Sequence, residues 1–103
     1  MEDMQSMKLI ALFRTPGEPE VFDQAYFQTH IPLIKKVPGL LDIQITHFTR
    51  TVMGESFYLM ATMSFESEAD LKAAMRSPEM GAAGKNLDLF AQGLVTLMFA
   101  GDR

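Results

Sequence analysis

His30 is one of two histidines in the chain, and Tyr26 precedes it by one helical turn. An imidazole has an ordinary pKa of about 6.5, so it can accept or donate a proton near neutral pH. A tyrosine hydroxyl at this spacing could hold a carbonyl or phenol oxygen beside the ring. Asp23 lies on the same segment, and Tyr58 is a second candidate hydroxyl farther along the chain. These residue types favour acid–base chemistry on a small molecule, with His30 as the candidate acid or base.

A predicted helix over residues 19–36 must position this histidine. On a helical wheel at about 100° per residue, His30 falls inside the apolar arc and Asp23 on the same side. The ring is therefore expected to face the sheet. Asp23 is not expected to contact His30 directly, because about 10 Å of helix rise separates them. The candidate ligand-binding residues are Tyr26, Phe27, Asp23 and Tyr58.

Pro32 interrupts the predicted helix two residues after His30. A proline cannot donate to the carbonyl four residues earlier, so the helix is expected to kink or loosen at His30. A local separation of helix and sheet would open a cleft with the imidazole in it. A purely structural histidine, in a helix that bends around the sheet, is the alternative. The residues alone leave both interpretations open.

Strands are predicted over residues 7–14, 40–48, 57–65 and 94–100, and the last of these follows a second helical region. Ser67 and Ser77 occupy N-cap positions in that region, and Pro78 stands at a first helical position. The order β-α-β-β-α-β is typical of a ferredoxin-like α+β fold, with both helices on one face of a four-stranded antiparallel sheet. Residues 1–103 are expected to form one domain, with residues 1–6 as a flexible tail.

The other face of the sheet is expected to be apolar. Predicted strands one, three and four carry apolar residues at both parities, whereas an antiparallel sheet wetted on one side alternates cleanly. A large exposed apolar patch usually marks an interface. The sequence therefore predicts a homodimer formed through the face opposite the helices.

Composition excludes several other classes of function. A net charge of −4 argues against a nucleic-acid partner. The absence of cysteine excludes disulfides and thiolate metal sites. The acidic start and the lack of a long apolar run predict a cytoplasmic protein without a membrane span. His30 and His47 have no carboxylate at ligand spacing, so neither a metal nor another cofactor is expected.

Three stretches together resemble the EthD-like family: FD-x-x-YF-x-x-HIPL-x-x-x-VPGL, MGESFYLMATMSF and SPE-x-x-AAGK-x-L-x-x-F. The resemblance covers roughly residues 7–100. It implies ferredoxin-like subunits that pair into a dimeric α/β barrel, with a pocket between helices and sheet that binds a small apolar or aromatic molecule. It also implies either cofactor-independent catalysis of the oxygenase, isomerase or dehydratase type, or a non-catalytic accessory protein of a catabolic pathway. Family members often carry aspartate where Asn86 stands, which puts any role of that acid in doubt here.

Overall fold

The computed structural model describes residues 6–101, so the predicted tail lies outside the described residues except for Ser6. The four strands are β1 (Met7–Phe13), β2 (Asp42–His47), β3 (Leu59–Phe65) and β4 (Val95–Gly101). They form one antiparallel sheet in the order β2-β3-β1-β4. This arrangement confirms the predicted ferredoxin-like fold.

The helical segments are α1 (Pro19–Ala25), a π-helical turn (Tyr26–His30), α2 (Ile31–Ile34), α3 (Glu68–Met75) and α4 (Pro78–Ala91). The Ser67 side chain accepts a hydrogen bond from the Asp70 amide, and the Ser77 side chain accepts one from the Met80 amide. Both predicted N-caps are therefore confirmed, and each satisfies an amide at a helix start that has no partner within the helix. The helix predicted over residues 19–36 is divided into three segments and ends two residues earlier.

The core lies between the helices and one face of the sheet. Alternate residues of β1 and β3 are buried there, in the period of two that a strand imposes. The largest fully buried side chains are Tyr26, Phe13, Phe65, Leu59 and Leu71. Strand β2 is shorter than predicted. It begins after Leu41, which is 64% exposed instead of sharing the inner face.

Strand β4 is an edge strand that is exposed on both faces. Leu97 pairs with Ala11, whose side chain is buried under the helices, so Leu97 belongs to the helix side of the sheet. It is nevertheless 47% exposed, because the helices lie over the centre of the sheet. Its neighbour Met98 points to the opposite face and is 40% exposed. On that opposite face, the adjacent strand β1 contributes Ile10 and Leu12, which are half-buried. We call this surface the outer sheet face.

Candidate functional site

The π-helical turn positions the rings of Tyr26 and His30. The Ile31 amide donates to the Tyr26 carbonyl, a step of five residues instead of four. Pro32 follows at once, where it cannot continue the ordinary hydrogen-bond ladder, and the wider turn before it accommodates this loss. The predicted loosening at His30 therefore takes the form of a π turn, within which Tyr26 and His30 are both buried.

A cavity of about 270 Å³ lies between these helices and the sheet. Tyr26 and His30 supply the only polar side chains that line it among residues 6–101. Its other walls are apolar side chains and two glycines, drawn from the sheet, the helices and the edge strand: Leu9, Ala11, Phe13, Ile34, Ile43, Met63, Met75, Met80, Gly81, Ala83, Gly84, Leu87 and Leu97. A largely apolar cavity with few polar groups is typical of a site for a small organic molecule.

His30 is 5% exposed, as the helical wheel predicts. Its Nδ1 lies 3.1 Å from Oδ1 of Asn86 on α4. An amide oxygen can only accept, so Nδ1 carries the proton and Nε2 holds the lone pair of the neutral ring. No hydrogen-bond partner for Nε2 is found within residues 6–101. Burial lowers the pKa of His30 below 6.5, and the bond to Asn86 offsets part of this effect. At neutral pH the ring is therefore an uncharged proton acceptor.

Tyr26 is 1% exposed, and its ring stacks on His30 with the centroids 5.5 Å apart. Its other neighbours are aromatic, among them Phe13 and Phe22. The hydroxyl has no hydrogen-bond partner in the described part of the chain. Burial raises the pKa of Tyr26 far above its ordinary value, so the hydroxyl stays protonated and can donate. A buried hydroxyl without a partner is costly to keep in a fold.

Asp23 and Tyr58 form a separate pair at the end of the sheet. The Tyr58 hydroxyl donates to both carboxylate oxygens of Asp23, at 2.8 and 2.9 Å. Tyr58 precedes β3 and its ring contacts Phe22 of α1, which places it on the helix side of the sheet. Partial burial raises the pKa of Tyr58 to about 12, and the bond and the charge of Asp23 act in the same direction. The exposed side chain of His47 packs against the Tyr58 ring, with the ring centroids 4.8 Å apart. The pair joins α1 to the sheet.

The structure thus brings together only part of the predicted site. His30 and Tyr26 line the cavity, whereas Phe27, Asp23 and Tyr58 do not. Phe27 is 46% exposed, and its ring packs edge-on against Tyr26. Asn86 was singled out only through the family resemblance. Its contact with His30 joins residues 56 positions apart, which no local pattern reveals.

Across positions 6–101, no three histidine, aspartate or glutamate side chains lie close enough together to hold a metal ion. None of the helices in this range combines the length and the apolar character needed to cross a bilayer.

The fold and its cavity define a ferredoxin-like protein with an internal apolar site between helices and sheet. Residues 14–92 match the family described as the EthD domain, and the chain belongs to this family. An EthD family protein from Bacillus halodurans C-125 has a crystal structure with 43% identity and a TM-score of 0.89, over 95% of this chain and 99% of that one. An uncharacterized 11.0 kDa protein from the thcB–thcC intergenic region of Rhodococcus erythropolis is 29% identical, over 89% of this chain and 90% of its own length.

More distant structures share the fold alone. A dimeric protein of unknown function and ferredoxin-like fold from Bacteroides fragilis is 21% identical, with a TM-score of 0.67, over 97% of this chain and all of that one (100%). SnoaB, a cofactor-independent oxygenase from Streptomyces nogalater, is 13% identical, with a TM-score of 0.61, over 96% of this chain and 92% of that one.

Proposed function

We propose that this protein binds a small apolar or aromatic molecule in the cavity and that His30 acts on it as a general base. The observation that carries the proposal is the bond from His30 Nδ1 to Asn86, because it leaves Nε2 as the basic atom of a buried, neutral ring. The largely apolar walls favour an uncharged ligand. The protonated hydroxyl of Tyr26 would donate to an oxygen of that ligand.

Proton abstraction beside a carbonyl is the chemistry that these two residues support. The proton leaves the carbon for Nε2 of His30, the electron pair of the broken C–H bond forms a C=C bond, and the electron pair of the carbonyl π bond moves onto the carbonyl oxygen. The Tyr26 hydroxyl stabilises the resulting enolate, and the imidazolium returns the proton to the same or another carbon. Such a step begins isomerisations and dehydrations. The oxygenase SnoaB is consistent with this fold hosting chemistry without a cofactor.

Deuterium exchange into a ketone tests the proposal without a known substrate. 2-Tetralone has two fused rings, one carbonyl and acidic protons beside it. We expect the protein to accelerate exchange of these protons with D₂O well above the buffer rate, as followed by proton NMR. Binding of 2-tetralone without acceleration would support the alternative, a non-catalytic accessory protein of a catabolic pathway.

A cytoplasmic location stays a prediction of the sequence.

A homodimer formed through the outer sheet face is the second part of the proposal. Ile10, Leu12 and Met98 give this face an apolar centre, and apolar patches of this kind usually mark an interface. The dimeric protein from Bacteroides fragilis supports pairing in this fold. A second copy is the partner that would place equivalent apolar faces together.

We expect a mass of about 23 kDa by light scattering at micromolar concentration, twice the 11.5 kDa of the chain. Ile10→Lys should give a monomer, because it would bury an unpaired charge in the interface. Leu89→Lys is the matched control, since Leu89 is 84% exposed on the outer side of α4. A monomeric wild-type protein, or a dimer that survives Ile10→Lys, would contradict this interface.

A further inference from the structure

Two glycines in the interior of α4 have no explanation in the backbone geometry. Gly81 and Gly84 lie within the helix Pro78–Ala91. Glycine is the weakest helix former after proline, so each weakens α4 relative to alanine. Glycine's usual advantage is a positive φ, which in residues 6–101 occurs only at Gly39, Gly54 and Gly93. The conformation of α4 therefore does not require a glycine at either position.

Packing within the chain does not require these glycines either. A Cβ atom added to Gly81 or Gly84 would have no atom within 4 Å, so no neighbouring element approaches the helix closely there. Both glycines line the cavity and both are exposed. Leu97 of the uncovered strand β4 lines the same cavity and is 47% exposed. The glycines therefore stand where the cavity opens to the surface.

The buried Tyr26 hydroxyl indicates independently that this cavity receives a ligand. Tyr26 is 1% exposed, lines the cavity and has no hydrogen-bond partner for its hydroxyl within the described residues. A ligand oxygen would supply the missing acceptor. The remaining lining is apolar apart from His30, so the rest of the ligand is expected to be apolar too.

We propose that Gly81 and Gly84 form the entrance and one wall of the ligand site, and that they admit a molecule of about two fused rings with one carbonyl oxygen. An apolar cavity of about 150 Å³ is enough to hold benzene. The cavity here is about 270 Å³, which suits two rings better than one. Side chains at the two glycines would fill the space beside the helix along which such a molecule must pass. This assignment rests on the proposed ligand site and adds the size class of the ligand.

Isothermal titration with two ketones tests the assignment. 2-Tetralone has two fused rings, and cyclohexanone has one. We expect Gly84→Leu to weaken the binding of 2-tetralone at least tenfold and that of cyclohexanone less than threefold. Lys85→Leu, at the adjacent exposed position, is the matched control and should change neither.

Gly84→Ala should raise the melting temperature by about 4 °C, because alanine is the better helix former.

The outcomes separate this assignment from the proposed function. Wild-type binding of 2-tetralone in the Gly84→Leu variant would overturn the role of the glycines and leave the ligand site intact. A lower melting temperature for Gly84→Ala would also overturn it, since the fold itself would then require the glycine. If the wild-type protein binds neither ketone, both the ligand site and the assignment fail.

Discussion

His30→Gln should lower the rate of deuterium exchange into 2-tetralone by about 10²- to 10⁴-fold, the usual contribution of a positioned general base. Glutamine keeps a polar group of similar reach but cannot accept a proton near neutral pH. Binding of 2-tetralone should change less than threefold, because the apolar walls that hold the rings are untouched. The loss is therefore expected in the rate constant for bound ketone, measured by proton NMR at saturating concentration.

His47→Gln is the matched control for this result. It removes the other imidazole of the chain, which is exposed and packs against Tyr58 outside the cavity. Exchange should stay within twofold of the wild-type rate. Equal losses in both variants would mean that exchange arises from imidazole groups in general. A His30→Gln variant that retains the full rate would remove His30 from the chemistry.

Asn86→Asp should raise the pKa of His30, because a carboxylate in hydrogen-bond contact with Nδ1 favours the charged ring. More of the ring would then be imidazolium, which cannot accept a proton. Where the pKa of the ring lies about one unit above the pH of the assay, roughly one tenth of the rings are neutral and able to accept a proton. We expect exchange at pH 6 to slow accordingly. The pKa is measured by NMR titration of the ring in a His47→Gln background, so that only one histidine is observed.

The contribution of His30 to the free energy of unfolding should depend on pH with opposite signs in the wild-type protein and in the Asn86→Asp variant. In the wild-type protein, burial lowers the pKa of His30 below the unfolded value of 6.5, so below pH 6.5 the unfolded chain binds more protons. The contribution of His30 to stability is therefore complete above pH 6.5 and declines as the pH falls toward the folded pKa. In Asn86→Asp we expect the carboxylate to raise the pKa of His30 above its unfolded value of 6.5, so the added stability is present below pH 6.5 and is lost as the pH rises through the folded pKa. Urea unfolding at pH 5 and pH 8 measures this difference.

Asn86→Leu is the control for the loss of the hydrogen bond without an added charge. It removes the acceptor for Nδ1 and keeps the side chain similar in size. Since that bond raises the pKa of His30, the pKa in this variant should fall below the wild-type value. An unchanged pKa in both Asn86 variants would show that the contact does not control the ring.

Regular periodicity made much of the fold predictable. The alternation in residues 57–65 corresponds to β3, where each residue of one parity is buried. Ser67 and Ser77 were identifiable as N-caps because their hydrogen bonds reach only three residues along the chain. The helical wheel predicts the inward direction of His30, which is 5% exposed in the structure.

The features that escaped prediction depend on distant contacts or on irregular geometry. The bond from His30 to Asn86 joins two helices, and the bond from Tyr58 to Asp23 joins a strand end to α1. The helical wheel assumes the same rotation at every residue, so it does not predict the π turn at Tyr26–His30. The open side of the cavity depends on where α4 lies relative to β4, a tertiary arrangement that local pattern does not specify.

A crystal structure of the protein with 2-tetralone is the most direct test of the proposed site. We expect the two rings between α4 and the sheet, beside Gly84, with the carbonyl oxygen within hydrogen-bond distance of the Tyr26 hydroxyl. The carbon that loses its proton should face Nε2 of His30. A ketone bound elsewhere, or an imidazole turned out of the cavity toward solvent, would contradict the account.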